Sequence, residues 1–104
     1  MRQITKESVK AFKNWERFSL SNTIVKVFEW ISQMFLHWNE IARFDWHQLY
    51  LDTCGWKTNT TKERMNWILE ELGLWRIRQV DWVWFYKDKD WHIEEFNRKL
   101  LIQL

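Results

Sequence analysis

The chain reads as an α+β fold: antiparallel β-hairpins in a meander, packed on a central helix, with further helices at the N- and C-termini, in the order αββββαββα. Three observations lead there. Thr60-Thr61-Lys62-Glu63 matches a capping box. Behind it Met65, Ile68, Leu69 and Leu72 recur at i, i+3, i+4 and i+7, and Gly73 falls where a glycine ends a helix. Asp45-Trp46 and Asp81-Trp82 each split two strand-like runs, as a two-residue hairpin turn does. A length of 104 residues suits one domain, residues 1–104, with one modest core.

The elements follow in order. Thr5 is the expected N-cap of a helix over Lys6–Lys13. Ile4 and Val9 form its hydrophobic staple, Val9 and Phe12 its buried face, and Asn14-Trp15 its end. Ser21-Asn22 marks a turn, and Thr23–Phe28 is a strand rich in β-branched residues. Glu29-Trp30 turns into a strand over Ser32–His37, with Met34 and Leu36 on one face and Phe35 on the other. Trp38-Asn39 breaks it. Glu40–Phe44 and His47–Asp52 then pair across Asp45-Trp46. A two-residue loop sets Phe44 opposite His47, Ala42 opposite Leu49 and Ile41 opposite Tyr50.

In the central helix Trp67 lies about 200° from Met65, on the wet side. Trp75–Val80 and Val83–Tyr86 form the second hairpin. Ile77 opposes Tyr86 and Gln79 opposes Trp84, while Arg76, Arg78, Val80, Val83 and Phe85 share the other face. Asp90 is the expected cap of a C-terminal helix carrying Ile93, Phe96, Leu100 and Leu104.

The composition is globular but odd. There are ten Trp, two Gly and no Pro. The hydrophobic fraction is 46% and the charged fraction 29%, with a formal net charge of +2. That balance permits an anionic partner without demanding one. Cys54 stands alone, which rules out an intramolecular disulfide and a Cys-based zinc site. A reducing cytoplasm is the expected location. The first residues lack the apolar stretch of a signal peptide, and no apolar run approaches the ~20 residues of a membrane span.

Several segments together resemble a family of small proteins encoded by tailed phages and prophages. Ile4-Thr5-Lys6, Ala11-Phe12, Ser21-Asn22-Thr23, Leu36-His37 with Asn39, and Ile41-Ala42 carry part of the likeness. Gly55-Trp56-x-Thr58-Asn59-Thr60-Thr61-Lys62-Glu63-Arg64, with Asn66 after it, is its most specific stretch. Gln79, Trp84-Phe85-Tyr86 and Asp90-Trp91 complete it over residues 3–91. The resemblance implies a fold and a phage context, but no activity. The departures are systematic: Trp stands where Gly is expected at 38, 46 and 82, and also at 15, 30 and 67. Some genetic codes read UGA as glycine and others read it as tryptophan. Restoring six glycines would raise Gly from two to eight and lower Trp from ten to four, close to ordinary usage. The alternative is that Trp was selected for an adhesive surface.

No pattern specifies catalysis, a cofactor or a metal. His37, His47 and His92 are scattered, and neither HExxH nor CxxC occurs. Cys54 has no evident base, and Glu70-Glu71 and Glu94-Glu95 diverge as neighbours on a helix. An enzyme is not expected, nor is a small-molecule ligand or a membrane contact. The oligomeric state is open. Two binding readings stand. Arg76, Arg78, Lys87 and Lys89 interleave with Trp75, Trp84 and Phe85 on one ribbon, which suits unpaired bases and phosphates. Lys62 and Arg64 at the helix start would add phosphate contacts. The plainer account of the same residues makes the arginines a solvated face, and Thr60 and Glu63 a helix cap. The other binding reading is a protein-binding effector, for instance an inhibitor of a host enzyme or defence complex, anchored by exposed tryptophans.

The composition generates one prediction. Trp38, Trp46 and Trp82 are expected to be UGA codons in the native gene, and Trp56 and Trp84 to be UGG. Sequencing the gene decides, and UGG at all five positions removes the recoding idea.

Overall fold

The computed structural model describes residues 3–45, 47–88 and 90–104, and in these residues the chain starts as a helix because Val9, Ala11 and Phe12 share one buried face. This helix, α1 (Gln3–Lys13), is followed by five strands: β1 (Phe18–Leu20), β2 (Thr23–Phe28), β3 (Ile31–Leu36), β4 (Asn39–Phe44) and β5 (Gln48–Asp52). Helix α2 (Asn59–Glu71) comes next. Four strands close the chain: β6 (Arg76–Val80), β7 (Val83–Lys87), β8 (Ile93–Glu95) and β9 (Lys99–Gln103). They form a six-stranded antiparallel sheet, β1-β2-β3-β4-β5-β9, and a three-stranded antiparallel sheet, β6-β7-β8. The expected α+β class stands, in the order αβββββαββββ.

The core lies between the inner face of the large sheet and the two helices. Val25, Met34, Ala42, Leu51 and Leu100 form one buried row across five strands. The chain alternation puts Phe35 on the opposite, outer face, as its spacing predicts. A β-bulge lets β4 bury two consecutive residues. Pairing steps from Met34–Ala42 to Phe35–Glu40, so Ile41 and Ala42 both face inward.

A buried arginine joins the layers. Arg64 on α2 is 0% exposed. Its guanidinium donates to the hydroxyl of Thr5 on α1, lies 3.3 Å from the hydroxyl of Thr23 on β2, and 3.4 Å from the Glu63 carboxylate. Thr5 in turn donates to Glu63. Thr5 is therefore an interior hub two residues inside α1, not its N-cap. Likewise α2 begins earlier than the Thr60–Glu63 box predicts. Thr58 is the N-cap, accepting the Thr61 N–H at 3.1 Å, and Glu63 is left for the buried cluster. Trp67 is half-buried against the core rather than on the wet face, because α2 is packed on two sides.

Three further expectations are corrected. The C-terminal helix is absent, and residues 93–104 form β8 and β9 instead. Ile93 and Leu104 are exposed, while Leu100 and Ile102 alternate inward against Leu51 and Leu49. Without β9, the peptide groups of β5 would form an open edge. That demand comes from a strand about fifty residues away, so local spacing cannot reveal it. The first hairpin is shifted by two residues: Phe44 faces Leu49, Arg43 faces Tyr50 and Ala42 faces Leu51. The Asp45 carboxylate accepts the N–H of His47 at 2.7 Å and of Gln48 at 2.9 Å, which closes a wider loop. Trp46 lies outside the described residues. Trp56 is 64% exposed. The short β1 has no counterpart in the sequence-based order.

The backbone conformations bear directly on the tryptophans. Both helices end in the same motif. In α2 Gly73 has φ 72°, its N–H reaches the Glu70 carbonyl at 3.0 Å, and the Leu74 N–H reaches Leu69 at 2.7 Å. In α1 Trp15 occupies the glycine position with φ 53°, and the Glu16 N–H reaches Ala11 at 2.9 Å. Two hairpin turns, His37-Trp38 (φ 50° and 67°) and Asp81-Trp82 (φ 49° and 70°), have left-handed backbone at both positions. At the Glu29-Trp30 turn only Glu29 is left-handed, and Trp67 is helical.

Trp38 and Trp82 are 80% and 85% exposed, so little packing offsets their strain. Trp38→Gly and Trp82→Gly are each expected to stabilise by about 1 kcal/mol in denaturant melts. Trp15→Gly gains less, because its ring stacks on Phe44 with centroids 4.8 Å apart. Arg64→Ala is expected to cost about 3–5 kcal/mol in the same assay, since it strips a charge partner from the cluster of Thr5, Thr23 and Glu63.

Candidate nucleic-acid interface

The three-stranded sheet is positioned by one side chain. Asn66 on α2 accepts the Ile77 N–H at 2.7 Å and donates to the Ile77 carbonyl at 3.2 Å. Its amide thus substitutes for a neighbouring strand along the edge of β6. Beneath the sheet Ile77, Trp84 and Tyr86 are buried, and the Trp84 and Phe96 rings meet with centroids 6.0 Å apart. The hairpin register is as the sequence predicts, with Ile77 opposite Tyr86 and Gln79 opposite Trp84. The outer face therefore carries Arg76, Arg78, Val80, Val83, Phe85 and Lys87.

On that face Arg76 pairs across the strands with Lys87, and Arg78 with Phe85. Arg76 and Arg78 are exposed and form no ion pair among the described residues. The Lys87 ammonium sits 3.4 Å from the Trp91 ring centroid and 5.4 Å from that of Trp75. Strand spacing does not reveal this clamp of two tryptophans, since neither residue belongs to the paired part of the hairpin. Glu95 on β8 stands opposite Phe85 and is the carboxylate in register with this face.

The other sequence-derived candidates are not brought to it. The Lys62 ammonium donates to the Gln79 side chain at 2.9 Å, and Gln79 alternates with Arg78, on the opposite side of β6. Arg64 is buried in the polar cluster and presents no charge to a ligand. Lys89 lies outside the described residues.

Elsewhere the chemistry is modest. A cleft of about 510 Å³ lies beside the start of α2, lined by His37, Asn39, Thr53, Trp56, Thr58 and Thr61 among others. The Thr58 and Thr61 hydroxyls are 3.0 Å apart and hydrogen-bond each other. The side chains of Asp88, Asp90 and His92 bring their ligand atoms within 4.8 Å of one another. Asp88 uses one oxygen for the N–H groups of Asp90 and His92, at 2.9 and 3.0 Å. Desolvation pushes its pKa up, but those backbone hydrogen bonds and the His92 imidazole outweigh it and hold the carboxyl below its usual range. The arrangement is that of a hydrogen-bonded turn.

Cys54 is half-buried, and its thiol donates to the Glu40 carbonyl at 3.2 Å. Burial first, then the charge of Asp52, pushes its pKa up. A raised pKa keeps the neutral thiol, the opposite of an activated nucleophile. Alkylation of Cys54 by iodoacetamide at pH 8 is therefore expected to be slower than that of free cysteine, with its rate still climbing at higher pH. Measuring rate against pH on the folded protein checks this.

Among the described residues no helix is long and apolar enough to cross a membrane. Residues 1–103 match the Kyanoviridae Gp96 protein, and the chain belongs to that phage family. No curated protein and no solved structure matches it.

Proposed function

We propose that this Kyanoviridae Gp96 family member is a small accessory binding protein that contacts single-stranded nucleic acid through the outer face of β6, β7 and β8. The observation that carries the reading is the cross-strand pairing of Arg78 with Phe85 and of Arg76 with Lys87 on one exposed face. Guanidinium and ammonium groups meet phosphates, and an aromatic ring flush with a sheet accepts a base by stacking, worth about 1–3 kcal/mol per base. Nothing on this face forms a rigid code of base-edge contacts, so binding would tolerate many sequences. Arg64 and Lys62 take no part: one holds the interior together and the other holds Gln79.

A second reading, a protein-binding effector, draws on Trp38 and Trp82, which stand exposed in two separate hairpin turns. Salt separates the two, because phosphate contacts weaken steeply with ionic strength while burial of a tryptophan does not.

The test is a titration of labelled oligothymidylate and of a duplex at two salt concentrations. Single strands are expected to bind at low salt. Arg76→Ala with Arg78→Ala should weaken that binding and leave the melting transition in place. Removing one phosphate-binding cation lowers the salt slope by about 0.7. Absence of binding by the intact protein at low salt overturns the reading.

A further inference from the structure

We infer that the open face of the six-stranded sheet is a second platform for unpaired nucleic acid, with the Phe35 and Tyr50 rings taking bases and Lys26 taking phosphate. The inference rests on the ligand class proposed above and assigns it a surface distinct from the basic hairpin.

Both helices cover the inner face of this sheet, so among the described residues no element covers its outer face. One row across that face runs Lys26, Gln33, Arg43, Tyr50 and Leu101, in register over five strands. Phe35 lies two residues along β3 from Gln33. The Lys26 ammonium stands 5.0 Å from the Phe35 ring centroid, and the Arg43 guanidinium 5.9 Å from that of Tyr50. The Lys26–Phe35 pair offers one nucleotide a ring for its base and a cation for its phosphate, and Tyr50 offers a second ring. Neighbouring strands are about 4.8 Å apart, so rings on β3 and β5 are separated by at least roughly 10 Å, enough to hold two different bases.

Charge selects the occupant. The bulge at Ile41 brings Glu40 and Arg43 to the same side, where they pair at 2.9 Å, and Gln33 donates to the same carboxylate. Asp52, also on this side, is 8% exposed, and its carboxylate takes the Cys54 N–H at 2.8 Å and Arg98 at 3.3 Å. Both carboxylates are thus neutralised locally, whereas Lys26 faces only a ring and forms no ion pair among the described residues. Beside it, Arg17, Phe18 and Phe28 border a groove of about 580 Å³ in which no lining residue is acidic. An aromatic polyanion fits such a surface. A duplex, whose bases are stacked away, cannot reach the rings.

The test is photocrosslinking of the intact protein to an oligonucleotide carrying 5-iododeoxyuridine, followed by mapping of the modified peptides. Adducts on Phe35 or Tyr50 are expected, and loss of the Tyr50 adduct in Tyr50→Leu, with the melt retained, confirms the position. In a parallel titration Lys26→Ala should lower the salt slope by about 0.7. Adducts confined to residues 75–91 overturn this inference and leave the three-stranded sheet as the interface. Adducts only on exposed tryptophans overturn it as well. No binding and no adduct overturns both readings together.

Discussion

A single guanidinium sets how the layers of this molecule meet. Arg64 is reached by Thr5 from α1, Thr23 from β2 and its own neighbour Glu63, so one side chain ties both helices to the large sheet. A buried charge is costly unless its donors find partners. The terminal nitrogens of Arg64 reach Thr5, Thr23 and Glu63 only when α1, α2 and β2 sit at fixed separations. An apolar residue at 64 would tolerate sliding between these elements, whereas a planar fork of donors does not. The arginine therefore acts on the uniqueness of the packing as much as on its stability.

Two residues further along α2, Asn66 performs a related task on the other side. Its amide satisfies both peptide groups of Ile77, which fixes the edge strand of the small sheet against the helix. Everything that recommends the small sheet as a binding surface depends on this placement. Ile77, Trp84 and Tyr86 are drawn inward beneath it, so alternation turns Arg76, Arg78, Phe85 and Lys87 outward. The large sheet follows the same logic: its helices occupy one face and leave the row from Lys26 to Tyr50 on the other.

The left-handed positions impose a constraint of a different kind. Trp15 takes the place in α1 that Gly73 takes in α2, and Trp38 and Trp82 occupy turn positions whose backbone favours glycine. The hydrogen bonds of these motifs close in spite of the side chain. The surrounding helix ends and strand pairs over-determine the backbone there, and the strain lies between the tryptophan Cβ and its own main chain.

Local chemistry alone determined a good part of this fold. The α2 face of Met65, Ile68 and Leu69, its glycine end, the strand over Thr23–Phe28, and the hairpin register around Asp81-Trp82 all follow from spacing and turn geometry within a few residues. The same local alternation is enough to put Arg76, Arg78, Lys87 and Phe85 on one ribbon. Tertiary structure decided the rest. Thr5, Glu63 and Arg64 have the sequence of caps and surface charges, but the interior claims them because each satisfies another's hydrogen bonds. The C-terminal segment has helical spacing, yet β5 needs a partner for its peptide groups, and that need outweighs the local period. The wider loop at Asp45 follows from carboxylate hydrogen bonds that shift the pairing by two. For the arginine cluster and for β9 the deciding partner is distant in sequence, and only the folded chain brings it near.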